Sequence, residues 1–176
     1  LIVVIGIIGI LLTVLFASFQ EARVEARNTA VKTALKETQL ALETYKAQYD
    51  QYPAISGGCT QIGGGTRSGT REDCDDDLIP GLDEFIEETP HHDLSNNPNC
   101  DFVYTTGDTD TPSTFKLIAS ECVEGIANAD EGVSESNELA RCPSSCDVDD
   151  AGGTCNPGNA AFYTSYAVYS NGGECY

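Results

Sequence analysis

The sequence predicts an α+β fold: a long N-terminal α-helix packed against a small antiparallel β-sheet head that is loop-rich and disulfide-stabilised. Three observations carry this. Residues 1–52 contain no proline, and residues 20–52 contain no glycine either. Beyond that proline-free stretch, short β-branched and aromatic runs appear only after residue 100. All eight cysteines fall between residues 59 and 175, inside an acidic stretch.

The helix comes first. Residues 1–19 (LIVVIGIIGILLTVLFASF) carry no charge, and only Thr13 and Ser18 are polar. Both hydroxyls can bond back to a helix carbonyl. As a helix this segment is about 28 Å long, against a bilayer core of about 30 Å. No basic region precedes it and no small-residue cleavage site ends it, so it does not read as a signal peptide. Residues 20–52 then change character without a break. Val24, Val31, Leu35, Leu42, Tyr45, Tyr49 and Tyr52 recur at steps of three, four and seven, the spacing of one helical face. Ala22, Ala26, Ala30, Ala34 and Ala41 allow close contact between helices. Lys32 with Glu37 and Lys36 with Glu43 miss the favourable intrahelical spacing, so the charges read as a solvated face. Pro53 disfavours helix at Tyr52 and marks the stop. One helix of about 50 residues, roughly 75 Å, is expected. The chain divides into an apolar membrane or filament-core helix at 1–19, an amphipathic stalk continuing it at 20–52, and an acidic, disulfide-rich globular head at 53–176.

The charge follows this division. The chain of 176 residues has a net charge of −19, and residues 47–176 alone hold 24 acidic residues against four basic ones. Such a surface repels phosphates, so direct nucleic-acid binding by the head is excluded as a main activity. Eight cysteines indicate an oxidising compartment and argue against a cytosolic enzyme.

The head reads as mostly loop. Residues 54–80 are rich in glycine and aspartate, and residues 81–88 (GLDEFIEE) form either a short helix or a docking turn. Residues 102–104 and 115–118 flank TTGDTDTPST, which reads as a β-hairpin with a long polar loop. Residues 162–169 (FYTSYAVY) read as a third strand, with a fourth either at 121–127 or absent. His91 and His92 point to opposite sides of an extended chain and have no third ligand at motif spacing. No phosphate loop, no Gly-x-Ser-x-Gly and no histidine beside a nucleophile occurs, so no catalytic residue and no enzyme activity is expected. Asp147, Asp149 and Asp150 before Gly152 form an imperfect echo of a calcium loop, with too few ligands and no distal glutamate. A solvated acidic turn is the simpler reading; calcium is the one cofactor suggested.

The residues 1–53, LIVVIGIIGILLTVLFASFQEARVEARNTAVKTALKETQLALETYKAQYDQYP, resemble a type IV pilin or a type II secretion pseudopilin. The resemblance rests on the β-branched start with Gly6 and Gly9, the EARVEAR passage into the stalk, and the Tyr-x-x-x-Tyr-x-x-Tyr-Pro ending. In the head it is looser: TFKLIASE and AVYSNGGECY look like the strands of such heads. The family's mature chain begins with Phe-Thr-Leu-Ile-Glu just before the position of Leu1. The resemblance therefore implies a trimmed start, with the family's assembly glutamate lying upstream. Ala17 stands where many pilins carry a helix-breaking proline. Major pseudopilins hold calcium near their C-terminal loop, which is where Asp147, Asp149 and Asp150 lie.

The resemblance implies a structural subunit, the major pilin of a type IV pilus-like extracellular filament. The chain would sit in the cytoplasmic membrane before assembly and then polymerise, with the pilus assembly machinery, into a helical homopolymer on the cell surface. Ile5, Ile8, Leu12, Leu15 and Phe19 would form the assembly core. Two alternatives stay open: a pseudopilin in protein secretion, and a single-pass anchored extracellular domain that binds a ligand. The eight cysteines are expected as four disulfides. Cys100 and Cys122 lie at the two ends of the hairpin, Cys59–Cys74 closes the glycine-rich loop, and Cys142, Cys146, Cys155 and Cys175 pair among themselves.

Overall fold

The computed structural model describes residues 2–54, 79, 81–87, 90, 95–107, 111–126, 132–146, 155–156 and 161–175; within the helix, the side chains of residues 2, 5 and 8–18 are left out of the description. Helix α1 runs unbroken over Ile2–Tyr49, 48 residues. Nothing inside it stops it: glycine costs only about 1 kcal/mol in a helix interior, whereas proline costs about 3 kcal/mol. It ends at Asp50, which adopts a left-handed φ of 62° and donates its N–H to Lys46 O at 2.8 Å. Aspartate tolerates that conformation, and Lys46 in the last turn complements the helix dipole. Tyr52 and Pro53 then turn into the core, where Tyr52 N bonds Pro112 O and Tyr104 Oη donates to Pro53 O at 3.1 Å.

The buried stripe of α1 is Asn28, Val31, Leu35, Thr38, Ala41 and Leu42. Thr38 is tolerated there because its hydroxyl bonds back to Ala34 O at 2.7 Å. Val24 and Tyr45 flank the stripe and are half-buried, while Tyr49 is exposed. The expected apolar face is therefore real but shorter than its spacing implied.

The stripe packs on a three-stranded sheet of β1 (Asp101–Thr106), β2 (Phe115–Ser120) and β3 (Tyr166–Tyr169), ordered β1-β2-β3 and antiparallel throughout. The hairpin pairs Thr106 with Phe115 and Asp101 with Ser120. Strand β2 is buried at every position. Phe115, Leu117 and Ala119 join Val31, Leu35, Leu42, Phe102, Tyr104 and Val168 in one core. Each leucine buried there contributes roughly 1.5–3 kcal/mol. The opposite face, with Lys116 and Ile118, is covered by loops carrying Cys142, Cys146, Cys155 and Phe162.

One expectation is corrected, and two alternatives that the sequence left open are resolved. The third strand covers only Tyr166–Tyr169, because 162–165 turn: the Ser165 hydroxyl bonds back to Ala161 O, and Thr164 O and Tyr163 O accept from Val123 N and Val133 N. No fourth strand forms among the described residues; a single bridge of Ala140 to Tyr166 extends the edge instead. Of residues 81–88, the described ones form a turn rather than a helix: Phe85 N and Ile86 N both bond Leu82 O. That turn docks Phe85 against Tyr45 and Tyr49.

Candidate functional site

Two regions of the molecule bear on function: the helix, where it leaves the head, and the disulfide-rich base of the sheet. On the helix, the head's hold begins near Val24, whose Cγ1 lies against Gly125. Gly125 has φ of 81°, and an added Cβ there would stand 2.9 Å from that methyl. Further toward the N-terminus, Val3, Val4, Ile7 and Phe19 are 74 %, 55 %, 54 % and 59 % exposed. Of the expected assembly core, Phe19 is thus open to its surroundings; the side chains of Ile5, Ile8, Leu12 and Leu15 lie outside the described residues. Among the described residues no helix is long and apolar enough to cross a membrane. Most of the apolar run 1–19 is described by its backbone alone.

Four of the stalk's five basic residues reach groups of the head, while Arg23 is exposed. Arg27 donates from Nε and Nη2 to both carboxylate oxygens of Glu124. Glu124 Oε1 also accepts from Ser95 Oγ and Asn96 N, and Asn28 clasps the backbone N–H and C=O of Glu124. Lys32 Nζ sits 5.1 Å above the Tyr166 ring, and Lys46 Nζ sits 4.4 Å above the Tyr52 ring while donating to Ser113 O. Lys36 pairs with Glu138. The hydrogen bond and charge of Arg27 hold the Glu124 carboxyl below the usual carboxylate range, against the opposing effect of burial. Glu138 is lowered by Lys36 in the same way. The two ion pairs are not equivalent. Lys36 and Glu138 are 53 % and 74 % exposed, where a pair is worth little, whereas Glu124 is 11 % exposed and fully hydrogen-bonded. The helix spacing gave no hint of these contacts, because every partner except Tyr52 lies in the head.

At the base of the sheet, three disulfides are formed: Cys100–Cys122, Cys142–Cys155 and Cys146–Cys175. Among the described cysteines none is free. The hairpin pair and the grouping of the last four match the sequence reading; Cys59 and Cys74 lie outside the described residues. Register alone would set Cys100 opposite Glu121. Glu121 takes a left-handed φ of 56°, which brings Cys122 across to Cys100 at a Cα separation of 4.4 Å. Its backbone stays satisfied, with N donating to Ser165 Oγ and O accepting from Asn97 Nδ2.

Lys116 was not singled out by sequence. It is fully buried, with Nζ 3.1 Å from Cys142 Sγ and 2.7 Å from Glu174 O. A lysine in a strand reads as a solvent-facing residue; only the loops folded over that face bury it. Burial, helped by Arg141 and opposed by Glu174, lowers its amine to about 7. Asp147, Asp149 and Asp150, and His91 and His92, lie outside the described residues. Among the described residues no group of three or more His, Cys, Asp or Glu is placed to hold a metal ion.

No family model, curated protein or solved structure matches this chain.

Proposed function

We propose that this chain is a pilin-like structural subunit of a type IV pilus-like extracellular filament, polymerising through its N-terminal helix into a helical homopolymer. The observation that carries the reading is the unbroken continuation of α1 beyond its own head. The stretch before Val24 extends about 33 Å at helical rise. Every large apolar side chain described in it (Val3, Val4, Ile7 and Phe19) is more than half exposed. An isolated soluble chain does not tolerate such a surface. Lipid covers it before assembly, and identical helices cover it afterwards. Contacts that do not close into a ring then generate an open helix. In this reading the chain is held in the cytoplasmic membrane until the pilus machinery extracts it, and its role is structural rather than enzymatic. The disulfide-locked heads form the outer surface, and their −19 charge makes cations or neutral loops the natural contacts between them.

Electron microscopy of the purified full chain tests this. Long filaments with a helical repeat are expected. Replacing Ile8 by Asp places a charge in the proposed core and abolishes them, while the near-ultraviolet signature of the head is kept. Normal filaments from Ile8→Asp overturn the core assignment. Short envelope-bound filaments select the secretion pseudopilin, and a detergent monomer that never polymerises selects the anchored binding domain.

A further inference from the structure

Lys116 sits on the central strand with no exposed surface. Its Nζ lies 3.1 Å from Cys142 Sγ and 3.7 Å from Cys155 Sγ, the two halves of one disulfide. The same amine donates to Glu174 O at 2.7 Å, next to Cys175, which is bridged to Cys146. A lysine normally carries its ammonium out to water; this one is held against sulfur. A carbonyl also approaches this bridge, Glu174 O at 3.9 Å from Cys155 Sγ, but the amine stands against Cys142, whereas carbonyls approach the hairpin disulfide at Cys122. Cys122 Sγ lies 3.3 Å from Ser120 O and 3.8 Å from Asp101 O, so the negative ends of two carbonyl dipoles face it.

We propose that Cys142–Cys155 is a redox-labile bridge whose open form is held by Lys116 as a Cys142 thiolate paired with the lysine ammonium. A dithiol reductant attacks Cys155 Sγ, since Cys155 is 6 % exposed and Cys142 only 1 %. The S–S bond breaks and Cys142 departs as a thiolate beside Lys116. The second thiol of the reductant then displaces Cys155 and closes a cyclic disulfide. Two electrons pass from the dithiol to the bridge. One of its two protons ends on Cys155 as a thiol and the other on the Lys116 amine. A stabilised leaving thiolate departs faster, and a neighbouring lysine stabilises it. Because burial and Arg141 lower the amine to about 7, with Glu174 acting against them, it can accept that proton near neutrality. A Cys122 thiolate would meet only repulsive carbonyl dipoles at the contacts just described, so the hairpin staple stays closed while the base opens. This inference does not depend on whether the chain polymerises.

The test equilibrates the full chain in graded mixtures of reduced and oxidised dithiothreitol, traps thiols by alkylation and maps each pair by mass spectrometry. Cys142–Cys155 opens at a reduced-to-oxidised ratio at least about tenfold lower than Cys100–Cys122. Lys116→Met moves that ratio at least about tenfold toward the closed form and leaves Cys100–Cys122 where it was. If Lys116→Met does not fold, the pH dependence of iodoacetamide reaction at Cys142 in partly reduced wild-type protein decides. Cys142 is expected to titrate at least about one unit below an ordinary thiol, which titrates near about 8.5. Opening of Cys142–Cys155 together with or after Cys100–Cys122, no shift in a folded Lys116→Met protein, or a Cys142 thiol that titrates in the ordinary range overturns the proposal.

Discussion

Arg27 and Glu124, 97 residues apart in the chain, meet as a two-pronged ion pair that fastens the stalk to the head. The Glu124 carboxylate also gathers Ser95 and Asn96, so one side chain joins the helix and two loops.

The first prediction concerns acid. Glu124 titrates below its ordinary 4.5 in the folded chain. The unfolded chain therefore takes up protons first as pH falls. The contribution is fully present above the unfolded value and is lost as pH drops through the folded one. The melting temperature is expected to decline from about pH 5 downward. Glu124→Gln flattens part of that decline and lowers stability at neutral pH by roughly 2 kcal/mol, the scale of hydrogen bonds to a charged group. Thermal melts from neutral pH into acid check both; an unchanged acid slope would remove Glu124 from the account.

At the alkaline end, Lys116 and Tyr52 act in opposite directions. Lys116 falls from 10.5 to about 7 on folding, so between those values the unfolded chain binds more protons and stability rises with pH. Tyr52 is pushed up from 10.0 to about 12 by burial and its hydrogen bond with Glu43. Its contribution is complete below pH 10 and is lost as pH climbs through 12. A stability maximum near about pH 10 follows. Lys116→Met removes the rise and keeps the alkaline fall. Non-reducing melts of both proteins are the measurement, and a rise that survives in the variant contradicts the assignment.

Gly173 packs directly on the central strand. A Cβ there would stand 2.2 Å from Phe115 O, a carbonyl that already accepts from Ser170 N. Backbone cannot yield as a flexible side chain does. Gly173→Ala is expected to cost roughly 2–4 kcal/mol, read by denaturant unfolding under oxidising conditions. A change within the range of ordinary surface substitutions would mean that the C-terminal turn is not held where we describe it.

The helix carries a prediction of its own for the assembled state. No proline lies between Gly9 and Ser18, so nothing there removes a backbone donor. Helical density is expected throughout that stretch in any filament this chain forms. An extended, non-helical segment there in a filament reconstruction would refute it.

The extent of α1 was legible because a helix is read from what fails to interrupt it, and Asp50–Pro53 supply the stop together. The hairpin and its cysteine pair were legible for a similar local reason: two β-branched runs flank a polar loop and carry cysteines at their outer ends. The buried Asn28 and Thr38 were not legible. Their polarity hides them from an apolar pattern, and what makes them tolerable is an Asn28 clasp on Glu124 and a Thr38 bond to Ala34 O. The roles of Arg27, Lys32, Lys36 and Lys46 were hidden for the same reason as that of Lys116. In each case a partner lies on a distant part of the chain, for Lys46 the Ser113 carbonyl, and no periodicity encodes it.

The inward turn of those four stalk cations has a consequence for ionic strength. Arg27, Lys32, Lys36 and Lys46 are each engaged by their own head, which in the proposed filament would leave the acidic surface of one copy to face that of the next. Added electrolyte shortens the reach of that repulsion, to about 8 Å at physiological levels and about 3 Å at 1 M. In such a filament brine would therefore tighten the approach of neighbouring copies, the reverse of what it does to partners joined by opposite charge, and desalting would loosen it.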